Sequence, residues 1–493
     1  MRRLAAIAAI GTLMACGHGG GGSGIAATSV DWGIPFVPSS ASRTMVVCLR
    51  NVSGGATSAT LQGYKPSGAL YTGPVTVTLD GDDEHAVSIS TALGGDVPAG
   101  GFVLVHTAAR NVEVAFNVGE PGKSAEESSR AWPLGDLAAP PATTAASVTI
   151  TTETDLVQLS NATAAPILLT VTAYLEPAAN PLDPPTTSTP PAIALAAWET
   201  KTLTPDTISG ITGFVGALAF TSASPFLAAV EEDLAFDGTP QVTIAPRQMY
   251  VTLSQGQVTA LPTTYTDFAM VVRNDADATR LVTLQEIRLA DGSSLEPTPR
   301  SITLAARESR VITTLDPPFD DLFGDATLQP SLLRVWMHIE LPADVDLSFR
   351  QFDPLTLASN MTVRPHTVGH IFETLEVFPE PVLPSTVRTF FSIVNPTNTE
   401  ITVTVESLIP QPDGFDAGPV PLATLTVPAL NRIEFSPDGV TYLDRDLVAA
   451  DVVGFRLRSG APFTALGRRV HQNASGLILM LSPTIIRNFD DAE

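Results

Sequence analysis

Apolar and polar residues alternate along this chain in short runs, and one arrangement of runs comes round four times. From Phe390 to Leu408 the sequence reads FFSIVNPTNTEITVTVESL, two apolar β-type runs on either side of a polar turn that opens with Asn395. The phrase appears three times more, as MVVCLRN before a turn and ATLQGY, as LVQLSN before ILLTVTAYL, and as MVVRN before LVTLQEIRL. The turn asparagines are then Asn51, Asn161, Asn274 and Asn395, a period of about 110–120 residues, the size of one small β-sandwich. Asparagine tolerates left-handed backbone and bonds its own turn, so the four are read as structural punctuation.

Around each phrase the pattern predicts further strands. Val75, Val77 and Leu79 alternate with Thr76, Thr78 and Asp80, a half-buried strand with one wet face. Ile167, Leu169, Val171, Ala173 and Leu175 likewise share a face. SITLAARESRVITTL and ATLTVPALNRIEF each read as two strands about a short turn. A closing pair follows in every copy: FVLVH with VEVAFNV, FVGALAF with FLAAVE, LLRVWMHIEL with VDLSFRQF, and VVGFRLRS with FTALGRRV. The order is thus an opening strand, a strand–Asn–turn–strand hairpin, a variable loop, a second pair and a closing pair. Such a set of short antiparallel strands suits two packed sheets. The expected fold class is all-β, with modules at 25–122, 123–239, 240–360 and 361–493. No amphipathic helical period appears beyond the N-terminus. The proline-rich PAANPLDPPTTSTPPA, which cannot donate a ladder of backbone bonds, is expected outside the sheets, as a rigid insertion or, in the other reading, a binding loop.

The β-pattern resembles the immunoglobulin-like and fibronectin-III-like modules of bacterial surface proteins, and the resemblance covers nearly all of the chain after residue 24. The Cys–Trp–Cys core of antibody domains is absent, so only the sandwich architecture is implied. The N-terminus reads MRRLAAIAAIGTLMAC. Arg2 and Arg3 precede a short apolar run that ends at Ala15, too short to span a bilayer and of the form of a cleaved export signal over 1–15. Leu13-Met14-Ala15-Cys16 resembles the lipobox of bacterial lipoproteins, with Met14 in place of the usual small residue. That resemblance implies cleavage before Cys16, acylation of its thiol and attachment to a membrane by several chains, where one chain would be marginal. Gly17, in place of the aspartate that retains such proteins at the inner membrane, implies the outer membrane. The other reading is an ordinary signal peptide with an incidental cysteine. Residues 16–24, with GHGGGGSG, form a flexible tether.

Composition changes this picture little. At 493 residues the chain has room for three or four domains, and two cysteines are too few to staple them. A formal net charge of −24 repels phosphate backbones, so nucleic acid is not an expected partner. Cys48, on the side of its strand opposite Met45, Val47 and Leu49, is expected to be a buried small hydrophobe. A Cys16–Cys48 disulfide stays open if Cys16 carries no lipid.

No chemistry stands out. His366 and His370 in HTVGH have the i,i+4 spacing that binds zinc on a helix, but Gly369 and the β-type surroundings oppose one. Asp80, Asp82, Asp83 and Glu84 crowd one turn, and Asp316, Asp320, Asp321 and Asp325 another; their spacing fits no calcium loop and they are read as solvated turns. G-x-S-x-G, P-loop and CxxC motifs are absent. Trp32, Trp132, Trp198 and Trp336 are taken as core packing rather than sugar platforms. The expectation is a non-catalytic exported lipoprotein, with no cofactor and no metal. It would have a structural or adhesive role at the cell envelope or surface, its modules strung as a rod or bent chain that meets surface protein or polysaccharide. The alternative is an envelope module that binds a carbohydrate or a peptide strand.

Overall fold

The computed structural model describes residues 29–488 apart from single residues and short segments, the longer being 37–43, 95–99, 120–125, 136–144, 176–184, 241–245, 259–264, 375–385, 409–419, 437–453 and 473–477. The signal at 1–15, the tether at 16–24 and Cys16 lie outside the described residues. What is described is an all-β chain of antiparallel sheets, with single helical turns at Ile89–Ala92 and Pro205–Ser209 and one 3-10 turn at Ala326–Leu328.

Residues 29–135 set the pairing order. One sheet runs, edge to edge, through Val75–Leu79, Thr57–Tyr64, Gly101–Thr107, Val30–Phe36 and Trp132–Gly135. The facing sheet runs through Glu84–Ser88, Thr44–Asn51, Val112–Gly119 and Glu126–Arg130. The same order recurs over 145–240, 247–366 and 369–488. In the third recurrence the two sheets are joined, because Arg247–Gln257 also pairs with the start of Tyr265–Asn274. In the fourth, the sixth and seventh strands fuse into Gly454–Gln472, whose first part pairs with Ile401–Leu408 and whose second part pairs with Thr386–Val394.

This order corrects several expectations. The proline-rich stretch is not wholly outside the sheets, since its Thr186–Ser188, free of proline, pairs with Ile167–Leu175 at a sheet edge. The strand–Asn–turn–strand phrase is not a hairpin. Thr44–Asn51 and Thr57–Tyr64 lie in opposite sheets, so the turn between them is an arch across the sandwich. The closing pairs divide in the same way: Gly101–Thr107 stays with the first sheet and Val112–Gly119 joins the second. Alternation could not tell these cases apart, since a hairpin and an arch both turn alternate side chains inward. The immunoglobulin order keeps its first two strands in one sheet and its last two in one sheet, and here both pairs are split. Strand pairing also crosses the expected boundary at 122/123, because Glu126–Arg130 and Trp132–Gly135 pair back onto the preceding strands.

Between the sheets of the first recurrence, Val47, Leu49, Leu61, Leu79, Val105 and Phe116 meet in one apolar cluster. Equivalent clusters fill the other three. At roughly 1.5–3 kcal/mol per fully buried large apolar side chain, this interior is the main stabilising term. The opposite faces of several strands, which alternation reads as wet, are buried as well. Every residue of Tyr265–Asn274 after Tyr265 is buried, as is every residue of Leu156–Asn161 after Leu156. What covers them is the neighbouring recurrence, and these seams are the most distinctive places in the molecule.

Candidate functional site

Each arch is built on its asparagine. Asn161 is fully buried; its Nδ2 donates to Ala165 O and Ala196 O, both at 2.7 Å. Its Oδ1 accepts from Thr163 N at 2.9 Å and from Thr163 Oγ1 at 2.8 Å. Ala165 closes the arch that follows Asn161, whereas Ala196 belongs to a second arch some thirty-five residues on. One side chain therefore ties two arches that cross the sandwich side by side. Asn51 donates to Gly55 O and Asp80 O, Asn274 to Ala278 O and Ala305 O, and Asn395 to Thr399 O and Pro428 O, at 2.6–3.0 Å. Structural punctuation was the right sense, but no asparagine is left-handed here. Three second arches do carry a left-handed residue, Trp198, Arg307 and Leu430, with φ of 59°, 61° and 59°.

Those second arches form the seams. Trp198 lays its ring on Tyr64 of the first recurrence at 4.6 Å, and Tyr64 stacks in turn on Phe102 at 5.0 Å. Burial raises the Tyr64 hydroxyl above its ordinary pKa. Two residues beyond Trp198, Thr200 N donates to Pro66 O at 3.0 Å. At the seam between the third and fourth recurrences the same position is Arg432, whose N donates to Ala290 O at 2.9 Å, while Trp336 Nε1 donates to Leu430 O at 3.2 Å. Gly68 and Gly292 face these turns, both at φ 82°. A Cβ on Gly68 would sit 2.3 Å from Ala197 O, and one on Gly292 would sit 2.4 Å from Asn431 Oδ1.

Buried polar groups fill the seams. Gln158 Nε2 donates to Gly101 O at 2.7 Å between the first and second recurrences. Arg273 Nη1 donates to Thr149 Oγ1 at 2.9 Å, and Arg350 Nη1 to Thr151 Oγ1 at 3.1 Å, between the second and third. Arg432 Nη1 donates to Leu253 O at 2.7 Å and Val335 O at 2.8 Å between the third and fourth. Arg50 Nη2 donates to Glu373 Oε2 at 3.2 Å, and that contact joins the first recurrence to the fourth. Glu373 is fully buried and its other oxygen accepts from Arg456 Nε. Strand Ile478–Thr484 also lies beside Glu126–Arg130. The contacts thus run from first to second to third to fourth and back to the first. They describe a closed cycle instead of the rod or bent chain expected from tandem copies. Small polar side chains and backbone carbonyls on one face accept buried guanidinium and amide donors from the next, which offsets part of the cost of burying those groups where two sheets pack.

The residues singled out in the sequence fall as follows. Cys48 is buried with Val46 and Ala115 on the face that carries Arg50, away from the sandwich interior. Its strand side is the one read from alternation, and on that face Arg50, two residues on, meets Glu373 of the fourth recurrence. Trp336 is fully buried, Trp32 packs on the first cluster, and the Trp132 side chain lies outside the described residues. His366 sits in an isolated bridge with Tyr250, and His370 lies in strand Gly369–Thr374, so no helix stacks the two rings. The acidic turns are used locally. Thr313 N and Oγ1 donate to Asp316 Oδ2, Arg300 pairs with Asp321 and lowers its pKa, and Thr327 bonds and lowers Asp325. Asp82 and Asp83 lie outside the described residues. Among the described residues no cluster of three or more His, Cys, Asp or Glu could hold a metal ion, and no helix is long and apolar enough to cross a membrane. Sequence reasoning missed the seam arginines and the left-handed positions. The recurring strings AAWET, AARES and PALNR were their one visible signal.

Compared with known families, with curated proteins and with solved structures, the chain matches none of them.

Proposed function

We propose that this chain is an exported, lipid-anchored envelope protein whose role is structural or adhesive. Four β-sandwich modules, immunoglobulin-like in having two packed antiparallel sheets but not in strand order, form its body. Their boundaries fall near 29–135, 145–240, 247–366 and 369–488. Cys16, after the export signal and before the glycine tether, carries the lipid and holds the body at a bacterial outer membrane or cell surface. The observation that best supports this reading is the four-fold use of polar chemistry for cohesion. The buried asparagines bond arches, and the buried Arg50, Arg273, Arg432 and Gln158 bond one recurrence to the next. Outer strand faces and loops are left as the surfaces that meet surface protein or polysaccharide.

The test uses the native protein in cells. A radiolabelled fatty acid is expected to enter it and to be absent from Cys16→Ser. Protease added to intact cells is expected to clip it while a periplasmic control survives. An unlabelled protein recovered from the cytoplasm with residues 1–15 intact would sink the reading.

A further inference from the structure

Three of the four seams join recurrences that are consecutive in the chain. The fourth joins the first recurrence to the last, with Arg50 and Glu373 separated by 323 residues. No short linker helps to hold that seam. On one side Val46, Cys48 and Arg50 share a strand face, with Ala115 beside Cys48 on the next strand. On the other side stand Glu373 and its cross-strand neighbour Arg456. The two faces are unlike: one carries Arg50, the other Glu373 with Arg456. A contact between unlike faces closes a ring when its rotation returns to the start, and otherwise continues from molecule to molecule.

We propose that this seam is an interaction surface for a second copy of the chain: the Arg50 face of one molecule docks on the Glu373 face of another in place of its own. Charge complementarity fixes the pairing. A buried Arg50 side chain needs a carboxylate, and Glu373 on any copy supplies it in the same geometry. Reversing Glu373 takes the shared carboxylate from Arg50 and Arg456 at once, and reversing Arg50 sets a carboxylate against Glu373, so either change opens the seam as a unit rather than loosening it gradually. Molecules confined at high local concentration, as on a membrane, then exchange partners by mass action. This inference stands on the seam alone and holds whether or not Cys16 carries lipid.

Charge reversal tests it. The full chain carrying Cys16→Ser has one remaining cysteine, Cys48, which is 2% exposed and shares the strand face of Arg50. Its reaction with a soluble thiol reagent therefore reports opening. Arg50→Glu alone and Glu373→Arg alone are each expected to react roughly tenfold or more faster than the parent. Arg50→Glu combined with Glu373→Arg in one chain is expected to restore protection, which shows that the single variants fold and have only lost the seam. Mixing the two single variants is the decisive step. Arg50 of the chain carrying Glu373→Arg then meets Glu373 of the chain carrying Arg50→Glu, and the two introduced side chains meet each other with opposite charge. Both seams between the chains are therefore complementary, while neither chain can close on itself. A two-chain species by light scattering, with Cys48 protected again, is the expected result. Monomers alone after mixing would overturn the proposal. So would single variants that stay protected, or a double variant that reacts as fast as they do.

Discussion

Replacing Asn161 by alanine isolates what the arch asparagine contributes. The native side chain makes four hydrogen bonds of 2.7–2.9 Å inside a fully buried site. Counting a net contribution of about 1 kcal/mol for each gives about 4 kcal/mol. Asn274 provides an internal scale. The residue two beyond it is Ala276, which has no hydroxyl, so its near equivalents are three bonds of 2.6–3.0 Å. Asn274→Ala should therefore cost about 3 kcal/mol by the same count. A chain of several sandwiches need not unfold in one step, so a melting midpoint does not resolve one pair of arches. Amide hydrogen exchange is local. Protection at Thr163 and Trp198, whose N–H groups donate within the tied arches, should fall by roughly a thousandfold in Asn161→Ala, about ten times per 1.4 kcal/mol. Asn161→Asp keeps the acceptor and removes both donors, leaving a charge against two carbonyls; it should be no milder than alanine at neutral pH. Protection within about threefold of the parent in Asn161→Ala would refute the idea that one side chain ties two arches.

Arg307 is left-handed and its partner Asp277 is largely exposed, so Arg307→Gly, which relieves the roughly 1–2 kcal/mol that left-handed backbone costs a residue with a Cβ, should be neutral or raise the melting temperature, whereas the β-branched Arg307→Val should lower it. Burial raises the pKa of Asp267, against weaker lowering by the Phe268 amide and Thr314. The unfolded chain therefore gives up this proton at lower pH than the folded one, and stability falls as pH rises from the ordinary aspartate value through the raised one. Asp267→Asn should accordingly be more stable than the parent at pH 7 and lose that advantage below about pH 3.9, as thermal melts at both pH values would show. His338, stacked on Tyr250 at 4.6 Å, has the opposite sense: burial lowers its pKa, so folding opposes its protonation and stability declines as pH falls through about 6.5. His338→Phe should remove that component of the decline in a series of melts from pH 8 to 5.

The sequence carried the sandwich interior legibly, because alternation marks which side of a strand is apolar. Met45, Val47 and Leu49 point inward as read, and Cys48 points the other way as read. Alternation carries no information on which sheet a strand joins, so the arches passed for hairpins. It is also blind to a second buried face. Ala269, Val271 and Arg273 look like the tolerant side of an edge, yet all are covered, because Arg273 reaches Thr149 across a seam. A buried arginine reads in sequence like an exposed one, and nothing local distinguishes Arg273 from Arg364, which is half exposed on Asp346.

The seams explain why a chain with so few charged residues places arginine where it does. Two sheets that meet face to face need either apolar cover or polar groups that find partners, and a wholly apolar face would bind any other sheet. Arg50 and Arg273 occupy the same place, immediately before the arch asparagine, yet answer different partners: Glu373 with Arg456 in one seam, Thr149 with Asp275 and Asp346 in the other. Gln158 and Arg432 do the corresponding work with backbone carbonyls. Each seam is thus made of the same sheets in the same order but has its own polar contacts. That difference rejects the wrong neighbour, since a misplaced recurrence would take Arg50 away from Glu373, or Arg273, Gln158 or Arg432 away from the oxygen each bonds across its seam. The cycle can then close in one order only, with the Arg50–Glu373 contact as its last joint.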